Sequence, residues 1–154
     1  MAIEVFDMIS GLVKSQLFTV SGTWTKPTSL KGDYIKIRIC GGGGGGAGSG
    51  ITDEGEGGEA GHFIEQIIQV TGNLTVTIGA GGAVLANGSN SSVSSGASLT
   101  ALGGQAGRIT STSSSYSNFN ISFGDYGKGG RGRVSTALAA EAGNDGACEI
   151  IWSE

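Results

Sequence analysis

Six consecutive glycines, residues 41–46, constrain this chain more than any other feature. They directly follow a segment whose apolar residues alternate, Ile35, Ile37 and Ile39. Ordering a glycine costs more backbone entropy than ordering any other residue, so fixing six costs ~6–12 kcal/mol at ~1–2 kcal/mol each. Such a run is either left loose or has its backbone groups hydrogen-bonded to neighbours. Glycine alone lets extended polyproline-type segments pack backbone against backbone, because no Cβ intervenes. Part of the glycine-rich sequence is expected to pack in that way.

The run is not isolated. The chain has 31 glycines in 154 residues, with further clusters at residues 48–61, 79–82, 103–107 and 124–132. Collagen is excluded, because there is one proline, Pro27, and no glycine at every third position throughout. Ice-binding polyproline bundles need a regular Gly-x-x spacing, and these glycines read as irregular clusters. Nine Lys and Arg against thirteen Asp and Glu, a net charge of -4, argue against nucleic-acid binding. No apolar run approaches the ~20 residues of a membrane-spanning helix, and no basic start with an apolar stretch marks a signal peptide.

Between the glycine clusters lie short apolar segments. Residues 17–20 and 23–27 are β-prone, the latter extended ahead of Pro27. Residues 34–40 are the clearest strand, with Ile35, Ile37 and Ile39 facing one way. Residues 63–70 follow, with Phe63, Ile67 and Ile68 assigned inward. Residues 73–78 alternate Leu74, Val76 and Ile78 against Thr75 and Thr77. Late strands are expected at 116–123 and at 147–152, where Cys148, Ile150 and Trp152 share a face. A short helix is conceivable over 134–142. The fold class is therefore all-β: a β-sandwich, jelly-roll-like, with glycine-rich, partly polyproline-II-like loops.

Residues 1–17 stand apart as an N-terminal segment ahead of a glycine-rich β domain at 18–154. Phe6, Ile9, Val13 and Leu17 recur at spacings of three and four, which suits a docking helix with one buried face. A first strand or a mobile arm is the alternative reading, and Gly11 weakens the helix.

Chemistry is sparse. Strand-then-glycine matches a dinucleotide-binding fingerprint, but that motif needs a helix after it, and residues 47–61 are mostly glycine and acid with no apolar periodicity. His62 is the one histidine, so every Ser/His/Asp or Cys/His constellation would have to use it. Cys40 and Cys148 read as buried thiols that could pair but need not, and with one histidine they make a poor zinc site. Asp53, Glu54, Glu56 and Glu59 could hold a hard cation, though a solvated acidic loop is the plainer reading. Glu65 and Glu149 lie in strands and could approach as a glycosidase pair, but nothing singles them out. Neither catalysis nor a cofactor is expected. In residues 111–120, Tyr116, Asn118 and Asn120 sit among serines, with Tyr126 nearby. Rigid aromatics among small hydrogen-bonding residues suit a recognition surface. Residues 87–98 form a similar polar stretch without aromatics.

The order of these pieces is informative. The sequence FTVSGTWTKP at 18–27 precedes the strand through Cys40 and the glycine run. GGEAG at 57–61, LTVTIGAGG at 74–82 and GACEIIW at 146–152 follow. This resembles the glycine-rich domain of bacteriophage tail-fibre and receptor-binding tip proteins. The resemblance implies a virion protein, made in the host cytoplasm and carried on the tail. It implies a homotrimer that contacts other tail proteins and a host glycan or outer-membrane protein, with Tyr116, Asn118, Asn120 and Tyr126 as receptor contacts and no membrane insertion. A non-adhesive virion part, such as a capsid or collar decoration or adaptor docking through residues 1–17, is the alternative.

Overall fold

The computed structural model describes residues 11–48, 54–110, 124–132 and 139–154. Among the described residues there are ten strands: β1 (Val13–Phe18), β2 (Gly22–Trp24), β3 (Tyr34–Cys40), β4 (Glu54–Gly55), β5 (Phe63–Gln69), β6 (Leu74–Thr77), β7 (Ser91–Ser95), β8 (Leu99–Ala101), β9 (Ile109–Thr110) and β10 (Ala147–Ser153). No helix occurs among the described residues. Two antiparallel four-stranded sheets, in the orders β1-β10-β3-β5 and β2-β6-β7-β8, form a sandwich-like arrangement; β4 and β9 make a separate two-stranded ribbon.

One core joins the sheets. Ile35, Ile37, Ile39, Cys148, Ile150 and Trp152 from the first meet Trp24, Leu74, Val76, Val93 and Ala101 from the second. Each aliphatic side chain buried there contributes ~1.5–3 kcal/mol by leaving water. The rings of Trp24 and Trp152 meet edge to face at 5.7 Å, a favoured aromatic geometry. Strand alternation at 34–40, 74–77 and 147–152 therefore chose the buried residues correctly.

Several expectations need correction. In β5 the inward residues are Ile64 and Ile68, which pack on the core, while Ile67 is 51% exposed. Consecutive isoleucines at 67 and 68 leave the phase of the strand ambiguous from sequence alone, and pairing of Ile68 with Ile35 settles it. Residues 13–18 form a strand rather than the last turns of a helix, because β1 pairs along its whole length with β10. Residues 139–142 are extended, not helical; 133–138 lie outside the described residues, as does the strand expected at 116–123. The polar stretch 87–98 contains β7, whose Ser91 and Val93 are fully buried. Ser91 Oγ accepts the Gly79 N–H at 2.9 Å, so a buried serine is satisfied there.

The glycine clusters form the second half of the molecule. Residues 41–47 continue from β3 as a fully buried extended strand of backbone. Their N–H groups go outward in strict threefold rotation. Gly41, Gly44 and Ala47 donate to the carbonyls of His62, Glu59 and Glu56; Gly42 and Gly45 to Ser89 and Ala86; Gly43 and Gly46 to Asn144 and Glu141. Their carbonyls are used likewise. Those of Gly42 and Gly45 accept from Gly104 and Gly107, those of Gly43 and Gly46 from Gly82 and Leu85, and that of Gly44 from Gly130. A repeat of three residues is the polyproline-II period. Residues 41–47 thus run through the middle of six other extended runs: 56–62, 102–107, 86–90, 79–85, 141–146 and 127–132. Hydrogen bonds also join each ring member to the next, for example Glu59 to Gln105, Gly88 to Gly104, Ser89 to Ala80, Gly143 to Gly82, Asn144 to Lys128 and Gly58 to Gly130. The ring closes, and runs parallel and antiparallel to the centre alternate around it.

This packing explains the absence of side chains. A Cβ on Gly41 through Gly46 would come within 3 Å of a ring carbonyl, again in threefold order: Leu102 and Gln105, Ala80 and Ala83, Lys128 and Arg131. Seven donated and five accepted hydrogen bonds, at ~1 kcal/mol net each, are of the same size as the ordering cost of seven residues at ~1–2 kcal/mol.

Candidate functional site

The bundle has two ends. At the near end it continues into the sheets through β3, β5, β6, β7, β8 and β10. About 20 Å away, taking seven residues at ~3.1 Å each, is a far end formed around Ala47, Glu56, Gly107, Arg131 and Glu141. There β4 pairs with β9, and residues 83–86 turn the chain back through a hydrogen bond from the Ala86 N–H to the Ala83 carbonyl. Within that turn Leu85 has a φ of 63°. A left-handed conformation is strained for a γ-branched residue and tends to persist where surroundings or function demand it. Here the Leu85 N–H is held by the Gly46 carbonyl at 3.0 Å.

The far end carries side chains that the bundle interior excludes. Val84, Leu85 and Ile109 are 38, 45 and 50% exposed. Arg108 is exposed, and Arg131 lies 3.7 Å from Glu141 in an exposed ion pair. Among the described residues this end combines aliphatic and guanidinium groups.

The sequence-derived candidates are dispersed. Tyr126 lies at the near end, half-buried against Cys40 and Ala147. Tyr116, Asn118 and Asn120 lie outside the described residues, as do Phe6 and Ile9. Val13 and Leu17 project from β1, 40 and 50% exposed. Of the acidic quartet, Asp53 is outside the described residues, Glu54 belongs to β4, and Glu56 and Glu59 serve the bundle through their backbone. Among the described residues no cluster of His, Cys, Asp or Glu could hold a metal ion. His62 is exposed, and its backbone joins the central run to residue 102.

The remaining candidates are engaged elsewhere. Glu65 and Glu149 flank Arg38 on the outer face of the first sheet, which binds both at 3.3 and 3.0 Å. The hydrogen bond from Lys36 holds the Glu65 carboxyl below its usual range. Cys40 and Cys148 are free and buried; burial raises both thiols, Cys148 to about 12. Every N–H of residues 41–47 is donated within the bundle, so the glycine run has no donors left to cradle a phosphate.

The missed feature was the bundle's regularity. Glycines three apart occur at 55, 58 and 61, at 79 and 82, at 104 and 107, at 127 and 130, and at 143 and 146. In the first set each points at the central run, toward the carbonyls of Ala47, Gly44 and Gly41. The apparently irregular clusters thus conceal a spacing of three that a search by period would have found.

The sequence profile of a glycine-rich domain matches residues 18–149. The chain belongs to this glycine-rich domain family. The match covers both sheets, apart from most of β1 and the end of β10, and all seven runs of the bundle. No curated protein matches the chain.

Proposed function

We propose that this glycine-rich domain protein is a non-enzymatic phage virion protein, a tail-fibre or tail-tip component that forms a homo-oligomer and presents its loops to the host surface. The observation that carries the reading is the closed glycine bundle, which places the far-end turns about 20 Å from the sheets on a support with little side-chain chemistry of its own. A support of this kind suits display, because connections at its end can change while the backbone lattice stays fixed. The exposed Val84, Leu85, Ile109 and Arg108 give the far end groups for a host protein or glycan. Residues 111–123, with Tyr116, Asn118 and Asn120, follow β9 in the sequence and are proposed as further contacts.

The test is a pull-down of host cells with purified protein, alongside immunogold labelling of virions. Binding to cells that weakens at least about tenfold in Leu85→Asp or Tyr116→Ala, with label at the distal tail, is expected. Protein that ignores cells, or label on the capsid, overturns the adhesive reading in favour of a decoration or adaptor role.

A further inference from the structure

Each four-stranded sheet has two edges, and exposed edges invite strand addition unless they are short, charged or interrupted. In the second sheet the edge strands β2 and β8 are three residues each. In the first, β5 carries Glu65 within a charged network with Lys36 and Arg38. The opposite edge, β1, has no further strand beside it among the described residues and lacks these devices. It runs six residues, VKSQLF, with no acid and no proline, and its Lys14 is tied back to Glu154.

The hydrogen bonds show which backbone groups face outward. Leu12 and Glu154 exchange both N–H to carbonyl bonds, each 3.1 Å. Bonded and non-bonded pairs alternate along an antiparallel ladder. Lys14, Gln16 and Phe18 are therefore the residues of β1 that bond to β10, opposite Trp152, Ile150 and Cys148. The N–H and carbonyl groups of Val13, Ser15 and Leu17 point away from β10. The side chains of these same three residues lie on the outer face of the sheet and are exposed.

We infer that β1 pairs with β1 of a second copy of this chain, antiparallel about a twofold axis at Ser15, joining two first sheets into one of eight strands. The order of residues selects this occupant. A twofold at Ser15 sets Val13 against the second copy's Leu17 twice, apolar on apolar. It sets Lys14 against the second copy's Gln16, so no like charges meet, and it sets Ser15 against itself. The three outward-facing residues coincide with the three bonded positions that this register creates. The pairing replaces the trimer implied by family resemblance with a closed twofold pair. It rests on β1 alone and not on host attachment.

Light scattering on the full chain at about 100 µM tests it. The expected mass is twice the 15.3 kDa of one chain. Leu17→Lys alters an exposed side chain and is expected to weaken the pair at least about tenfold. Ser15→Pro removes an outward N–H and is expected to leave a monomer with unchanged circular dichroism. A wild-type monomer, a trimer, or a dimer that withstands Leu17→Lys overturns the inference. If Ser15→Pro fails to fold, Leu17→Lys decides alone. Either result is separable from host binding, which the pull-down reads.

Discussion

The sheets and the glycine bundle solve the same problem by opposite means. In the sheets, side chains from two layers fill a shared core, and backbone hydrogen bonding runs within each layer. In the bundle the backbone is itself the core: residues 41–47 are fully buried, and what surrounds them is carbonyl and N–H. The sheets therefore tolerate some change of volume but not loss of apolar area. The bundle has almost no apolar area to lose and no volume to give. Its specificity lies in the absence of an atom, the Cβ, at positions fixed by a threefold screw.

Single substitutions measure how different the halves are. Gly44→Ala is expected to have the largest effect, because its Cβ would press on the Gln105 carbonyl and no flexible side chain can yield. A loss of ~3 kcal/mol or more is expected, read as a fall in Tm of ~6–12 °C or as failure to express. A stable Gly44→Ala protein would mean that the bundle breathes. In the sheets, Ile37→Ala empties a fully buried site and is expected to cost ~2–5 kcal/mol in chemical denaturation. Cys148 probes the same core by pH. Its thiol is held protonated to about 12, above the ordinary value of 9.0, chiefly by burial. Its contribution is intact below pH 9 and is lost as pH rises, reaching ~2 kcal/mol near pH 10.5. Cys148→Ala is expected to flatten that alkaline slope in urea titrations, whatever its own cost.

Smaller effects test the bundle's periphery. Asn87 Oδ1 accepts the Ala106 N–H at 2.8 Å, and Asn90 Oδ1 accepts that of Gly103 at 2.9 Å. These side chains, three apart, serve N–H groups three apart. Asn87→Ala is expected to cost ~0.5–1.5 kcal/mol and to speed hydrogen exchange at Ala106. At the bottom of the scale is Gly72→Ala. Its Cβ would meet nothing within 4 Å, so the substitution made at Gly44 is expected here to be neutral or to stabilise by up to ~1 kcal/mol.

The sheets were largely legible. Residues 34–40, 74–77 and 147–152 alternate, and alternation reports one buried face. Legibility failed where that signal is doubled or missing. Ile67 and Ile68 are adjacent, so either phase fits, and β7 is mostly serine, so a strand reads as a loop. At the N-terminus, positions 13 and 17 are four apart, a separation shared by a helical face and a strand face. For the bundle, sequence supplied the kind of packing but not its order. Partner assignment depends on long-range hydrogen bonds between runs up to about a hundred residues apart, such as Gly43 to Asn144, and no local propensity encodes these. The candidate site was the least legible. Tyr126 drew attention as an aromatic among polar residues, yet it packs on Cys40 and Ala147. Leu85 and Ile109 lacked any distinguishing pattern in the sequence, since only the fold places them where the bundle ends.

The threefold screw also makes the domain a ruler with coarse graduations. Adding one residue to any of the seven runs would turn its later residues by a third of a revolution, aiming carbonyls where donors are needed. Only steps of three preserve the lattice, each worth roughly 9 Å, and all seven runs would have to take the step together. Lineages descended from such a chain are thus free to rewrite the connections at its ends, while the distance between sheets and tip stays locked.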